Sequence, residues 1–245
     1  MADSAITDAA ETLLPDGNGP FIFTCEHASN RLVGVEADDS DRHLLDDHWG
    51  WDIGAADVVR ALATRHACPA VLSRFSRLII DPNRDLLEET LIPVSTHDGP
   101  VSFNQDLTPQ ARQDRIDSLW SGYHHAVDEA VTERLGHGQV HLVSVHSFTP
   151  VWLGHARPME IGVLFDEYHE HAMHLAGALG EQGFEVSLNE PYTGKSGLIY
   201  SIARHGRRHE VPFMELEIRN DLIDTPDKAD DVAARLWRAL DVFTP

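Results

Sequence analysis

Two histidines stand directly after apolar, strand-forming runs. His27 lies in Cys25-Glu26-His27-Ala28-Ser29-Asn30 behind Phe21-Ile22-Phe23-Thr24, and His146 ends Leu142-Val143-Ser144-Val145. In open α/β sheets, ligands and catalytic groups gather just beyond the carboxyl ends of the strands. Two neutral imidazoles presented from two such ends can converge on one zinc ion. A core histidine with a hydrogen-bond partner would leave the same trace at either position. A third ligand is also needed. Asp52 closes the segment Asp46-Asp47-His48-Trp49-Gly50-Trp51-Asp52 where an apolar helix begins, so its carboxylate can serve a metal or cap that helix. Asn30 competes for the role, but an amide oxygen is a poor zinc ligand, and Asp52 is favoured.

Three further segments carry candidate chemistry. Ile79-Ile80-Asp81-Pro82-Asn83-Arg84-Asp85 presents an arginine from a turn. Arg84 with Asn83 beside it supplies a bidentate fork and a neutral amide, the donors that an amino-acid carboxylate requires. A surface pair with Asp81 or Asp85 is the alternative. In Met214–Asp221, strand alternation puts Glu215, Glu217 and Arg219 on one face and Met214, Leu216 and Ile218 on the other. Acidic side chains in an apolar strand are costly without a task or a partner, which makes one of these glutamates a candidate general base. Thr193-Gly194-Lys195-Ser196 has the look of a phosphate loop. The full pattern needs a glycine where Asn189 stands, and Pro191 stiffens the approach, so nucleotide binding is not expected.

The elements that must carry these groups alternate in period. Apolar runs predict strands at 21–24, 70–72, 78–80, 140–145, 161–165, 185–188 and 212–218, with helical patterning at 52–67, 109–135, 167–182 and 228–242. This is the pattern of a layered α/β domain. Thr108-Pro109 and Thr225-Pro226 fit a helix cap followed by proline at the first helical position. The stretch 88–106 reads as a long loop, and such loops are often functional. No repeat or linker divides residues 1–245, so a single domain is expected, with 1–18 a loosely ordered N-terminal segment.

Composition bounds the function. With 245 residues the chain can bury a large core, and two cysteines exclude a disulfide-stapled scaffold. Nineteen basic residues against 40 acidic ones give a net charge of −21, which argues against nucleic acid or an anionic membrane as partner. No run has the length of a membrane span, and the start is acidic where a signal peptide would be basic and then apolar, so a cytoplasmic location is expected. Lys195 and Lys228 are the two lysines. An acid-rich, lysine-poor surface suits work in high salt, and coding bias explains it equally well.

Taken in order, TCEHASN, HWGWDIGA, RLIIDPNRD, VHSFTP, NEPY and ELEIRNDLI make the chain similar to the N-formylglutamate amidohydrolase family, from about Phe21 to Asp224. That family resembles the zinc carboxypeptidases at a distance. The resemblance implies a three-layer α/β sandwich with a mixed, mostly parallel central sheet, phosphorylase/hydrolase-like and zinc exopeptidase-like. It also implies one zinc, or another divalent ion, per chain. Carried over by position, His27 and His146 match metal ligands, Asn83 and Arg84 match the pair that holds the substrate carboxylate, and Glu217 matches the glutamate that activates water. Arg219 is a second cation for the carboxylate or the developing oxyanion. The zinc carboxypeptidases have glutamate where this chain has Asn30, which is why Asp52 stands as the middle ligand. The implied activity is hydrolysis of the amide of a small anionic N-acyl amino acid such as N-formylglutamate, giving formate and the free amino acid. A carboxypeptidase-like hydrolase of small peptides and a non-catalytic zinc- or ligand-binding module are the alternatives.

Overall fold

The computed structural model describes residues 4–243. Twelve strands appear in chain order: β1 (Ser4–Ile6), β2 (Ala10–Leu13), β3 (Phe21–Cys25), β4 (Ala70–Ser73), β5 (Ser95–Thr96), β6 (Gly99–Pro100), β7 (His141–Phe148), β8 (Val151–Trp152), β9 (His155–Ala156), β10 (Ile161–Leu164), β11 (Val186–Leu188) and β12 (Phe213–Arg219). Eight of them form one sheet in the order β1-β2-β4-β3-β7-β12-β10-β11, while β5-β6 and β8-β9 are separate hairpins. The four central strands β4, β3, β7 and β12 run parallel, and antiparallel pairings flank them at β2–β4 and β12–β10. The mixed sheet expected from sequence is therefore present.

The helices are α1 (Arg42–Asp46), α2 (Ala55–His66), α3 (Pro109–Arg115), α4 (Ser121–Leu135), α5 (His169–Glu181), α6 (Tyr200–His209) and α7 (Pro226–Leu240). Helices α2, α5 and α7 cover one face, packing on Phe23, Val143, Val145, Met214, Leu216 and Ile218. Helices α4 and α6 cover the other, against Ile22, Val71, Leu142 and Phe213. Three layers result, as each apolar sheet face demands a cover. A π-helical turn over Ile116–Trp120 joins α3 to α4, so the helical pattern across 109–135 is continuous. Thr108 and Thr225 cap their helices by accepting from the amides of Ala111 and Lys228, as their positions before proline predict.

Two expectations are corrected. The run at 78–80 is not a strand. Leu78, Ile79 and Ile80 are buried, but their backbone groups find partners outside any sheet: Ile79 N–H donates to the Ser76 carbonyl, Asn104 donates to the Leu78 carbonyl, and Arg115 to that of Ile79. An apolar run reports burial, and only its hydrogen-bond partners decide whether it joins a sheet. The segment expected to be loose also enters the fold. Strand β2 pairs antiparallel with β4, Ala9, Ala10 and Leu13 are buried, and Arg60 of α2 clamps Glu11 through two bonds of 2.9 and 2.6 Å. Residues 1–3 of that segment lie outside the described residues. Helix α6, rich in arginine and histidine, was not expected. It is held by a narrow buried face that includes Ile202, Ala203 and Gly206, the last against the Phe213 ring. Among the described residues no helix is long and apolar enough to cross a membrane.

Gly54, in front of α2, has φ +81° and no room for a side chain, since a Cβ would meet the Ile223 carbonyl oxygen at 2.0 Å. Gly177, inside α5, has open space around it. Gly54→Ala should therefore cost more than about 1 kcal/mol in urea denaturation, while Gly177→Ala should stabilise by roughly 0.5–1 kcal/mol.

Candidate active site

The polar site grows out of one sheet face. Along β7 the side chains on the α4/α6 side are Leu142, Ser144 and His146, and along β12 they are Phe213, Glu215 and Glu217. Each strand begins apolar and turns polar toward its carboxyl end. The parallel register pairs Glu217 with His146 and Glu215 with Ser144, so the two glutamates are set beside the histidine by backbone hydrogen bonding alone. On the far side of β7, β3 delivers Glu26 and His27 just past its last residue.

Asp52 reaches the same point from the segment before α2. Its backbone N–H donates to the His27 carbonyl at 2.9 Å, and its Oδ2 accepts from Ser147 N–H at 3.1 Å. It does not cap the helix, whose cap residue is Gly54. Asn30, the competing ligand, is not among the residues lining the cleft.

His27 Nδ1, His146 Nδ1 and Asp52 Oδ2 form a small triangle, with edges of 3.1, 2.9 and 3.4 Å. Ligands about 2.0–2.1 Å from a tetrahedral zinc lie about 3.3–3.4 Å apart, so the triangle has the size of a metal-ligand set. The opposite ring nitrogens are each occupied by a carboxylate: His27 Nε2 meets Asp81 Oδ1 at 2.7 Å and His146 Nε2 meets Glu26 Oε2 at 3.0 Å. In the tautomer that donates Nε2–H to those carboxylates, both Nδ1 atoms present lone pairs to each other and to Asp52. In that tautomer a cation between the three acceptors, a metal ion or a proton on His146 Nδ1, is what lets them stand this close. His27, Asp52 and His146 are thus residues that can hold a metal ion.

The surrounding charges make the same demand. Glu26, Asp52, Asp81, Glu215 and Glu217 are all buried. Burial opposes charge on His146, but Glu215, Asp52 and Glu26 outweigh it and hold its pKa well above the usual imidazole value. Burial likewise opposes ionisation of Asp81, and His27 and Arg77 overcome it and keep the carboxyl low. Arg77 bridges two of these acids, at 2.9 Å from Asp81 Oδ2 and 3.5 Å from Asp52 Oδ1. Glu217 differs. Its burial and the neighbouring charges of Glu215 and Asp52 push its pKa well up, and its Oε2 has no hydrogen-bond partner. Glu215 is raised to about 7, again mainly by burial.

All of these groups except Glu26 open onto one cleft of about 320 Å3. Asn83 and Arg84 line it too. The Asn83 amide is partly committed, donating to the Leu198 carbonyl at 3.1 Å and accepting from Ser201 N–H at 2.9 Å, which fastens the turn to the start of α6. Arg84 is not paired with Asp81 or Asp85; its Nη1 donates to the Asn83 carbonyl and its Nε stands 3.7 Å from Glu88. Arg219 is the site residue that the structure does not bring in. It sits at the end of β12, pairs with Asp221 at 2.8 Å and donates to the carbonyls of Pro158 and Met159. Its distance from the cleft follows from its place at the end of the strand, where an acidic neighbour two residues on captures the side chain. The loop 88–106 contributes Thr90, Pro93, Ser95 and Thr96 to the rim.

Sequence reasoning did not assign roles to Glu26, Asp81, Arg77, Trp152 or Tyr192. For Glu26 the signal was available: it shares the strand-face alternation of Ile22 and Thr24, the rule that singled out Glu215 and Glu217. Glu26 accepts from Tyr123 Oη at 3.0 Å, from Ser144 Oγ at 2.5 Å and from His146. Despite burial, His146 and Ser144 hold its carboxyl below the ordinary range.

Residues 19–224 match the family model described as N-formylglutamate amidohydrolase. The gene product Atu2144 from Agrobacterium tumefaciens is similar in structure, with a TM-score of 0.87 and 29% identity over 97% of this chain and 96% of that one. An N-formylglutamate amidohydrolase from Ralstonia eutropha JMP134 shares the fold at a TM-score of 0.77 and 20% identity, over 96% of this chain and 97% of that one. No curated relative matches the chain in sequence.

Tyr123 is fully buried and its hydroxyl bonds to an ionised carboxylate. Tyr123→Phe should lower unfolding free energy by about 1.5–3 kcal/mol, as expected for loss of a hydrogen bond to a charged group, with the far-ultraviolet spectrum unchanged.

Proposed function

The chain belongs to the N-formylglutamate amidohydrolase family, and from that premise we propose that it hydrolyses the amide of a small N-acyl amino acid, N-formylglutamate being the reference case, to a free amino acid and formate or another short acid. The observation that carries this reading is the unpartnered, buried Oε2 of Glu217, facing the same cleft as the imidazole–carboxylate triangle of His27, Asp52 and His146.

The residues divide the work as follows. His27 Nδ1, His146 Nδ1 and Asp52 Oδ2 would hold a zinc or other divalent ion, which when bound supplies a Lewis acid and lowers the pKa of water toward ~7. Asp81 and Glu26 fix the two imidazoles by accepting from their Nε2–H groups, so that the lone pairs point inward. Glu217 Oε2 takes a proton from the attacking water and returns it to the amide nitrogen as the carbon–nitrogen bond breaks. A carboxyl whose pKa is raised by burial and by adjacent acids is suited to giving that proton back. Arg84 holds the carboxylate of the amino-acid portion through its guanidinium fork, and Asn83 has one amide N–H left for orientation. Arg219 has no part in this scheme.

Metal analysis and formate release test the proposal together. His27→Ala and His146→Ala should each lose stoichiometric metal while remaining folded. Retention of a full equivalent by both variants removes the metal assignment. Glu217→Gln should keep the metal and lower kcat by on the order of 10²–10⁴. Glu215→Gln, at the neighbouring position on the same face, should have the smaller effect; the reverse ranking would move the base to Glu215.

A further inference from the structure

The cleft has a second wall that the hydrolytic chemistry does not use. His48 and Trp49 lie tilted against each other with ring centroids 4.5 Å apart, and Trp152 meets both edge to face, at 5.9 Å from His48 and 5.7 Å from Trp49. All three line the cleft, as does Tyr192. The wall is assembled from the segment before α2 and from the β8–β9 hairpin, and it is held in place. Trp49 Nε1 donates to Asp98 Oδ2 at 2.7 Å, beside the β5–β6 hairpin, and His48 Nδ1 lies 3.0 Å from Asp47 Oδ1. Arg157 stacks its guanidinium over Trp152 and Tyr192, 5.4 Å from each centroid. It donates to Thr149 and does not itself line the cleft. Rings braced at this many points form a rigid apolar surface, the kind that discriminates between substrate side chains at low entropic cost.

Charge in the cleft points the same way. Among the described residues lining it, the guanidinium groups are Arg77 and Arg84. Arg77 is committed to Asp52 and Asp81, while Arg84, whose partners are the more exposed Glu88 at 3.7 Å and the Asn83 carbonyl, keeps donors for the substrate. Four carboxylates, Asp52, Asp81, Glu215 and Glu217, share the same walls. A substrate with one carboxylate is accommodated by Arg84. A second carboxylate would be desolvated beside these acids with no further arginine of the cleft to receive it.

Resting on the amidohydrolase reading above, we infer that the preferred substrate is an N-acyl amino acid with a single carboxylate and a flat aromatic side chain, rather than an acidic one. The carboxylate sits at Arg84, the acyl group near Glu217, and the side chain against Trp49 and Trp152.

The test measures formate release by the metal-loaded protein from N-formyl-L-phenylalanine, N-formyl-L-tryptophan and N-formyl-L-glutamate. The aromatic substrates should exceed glutamate in kcat/KM by at least about tenfold, the scale on which an apolar pocket discriminates. Trp152→Ala should erase most of that advantage through KM, the loss falling more heavily on the aromatic substrates than on glutamate, with metal content retained; Trp152→Leu replaces it if the alanine variant does not fold. Glutamate turned over as well as or better than the aromatic compounds would overturn the inference, as would an equal loss on all three substrates in the Trp152 variant. If none of them releases formate, the proposed reaction itself is at fault. Calorimetric binding of the same compounds to metal-loaded Glu217→Gln then decides the side-chain preference separately. Tighter binding of the aromatic ligands supports the inference, and equal or tighter binding of N-formylglutamate refutes it.

Discussion

Five carboxylates buried around two imidazoles are the constraint on which the rest of this structure depends. Glu26, Asp52, Asp81, Glu215 and Glu217 are removed from water, and each ionised acid in such surroundings must find positive charge or donated hydrogen bonds. The molecule meets the demand in stages. Tyr123 and Ser144 donate to Glu26, Arg77 bridges Asp52 and Asp81, and the two imidazoles stand between the acids. Among these acids, what is left uncompensated is concentrated at two places, the inward-facing Nδ1–carboxylate triangle and the neighbouring Oε2 atoms of Glu215 and Glu217. A cation suits the first and a mobile proton suits the second.

The sheet makes this arrangement possible because it separates apolar from polar along each strand rather than between strands. Met214, Leu216 and Ile218 bury themselves against α2, α5 and α7, while Phe213 on the opposite face packs under α6 before Glu215 and Glu217 reach the cleft. The cost of burying acids is thereby confined to one end of one face, and the remaining core is conventional.

Much of this could be read from the chain itself, for definite reasons. His27 and His146 follow apolar, β-branched or aromatic runs, and strand period assigns Glu215 and Glu217 to one face without any tertiary knowledge. Asp52 required a choice between a metal ligand and a cap. The choice turned on a matter of three residues, because α2 begins at Ala55 and Asp52 remains free to turn back to His27. Arg219 obeys the same alternation as the glutamates but sits where the strand ends, and alternation cannot say how far a cleft extends. The run at 78–80 and the N-terminal strands failed in opposite directions. The first is apolar and buried yet bonded through Asn104 and Arg115 side chains, and the second is short and interrupted by acidic residues yet held by pairing with β4 and the Arg60 clamp. Both outcomes depend on partners far away in sequence, which local pattern does not encode.

That remoteness also bears on how the protein reaches its native state. The two imidazoles are contributed by residues 119 apart, and His146 is 94 residues from Asp52 and 120 from Glu26. No two of these contacts can be made by local hairpin closure, since β3, β7 and β12 are parallel neighbours joined by long crossovers. Loop-closure entropy must be met before the pairing returns any energy, which places the chain among slowly folding topologies. The ligand set exists only when β7 is seated between β3 and β12, so a metal ion would stabilise the completed sheet rather than any fragment of it.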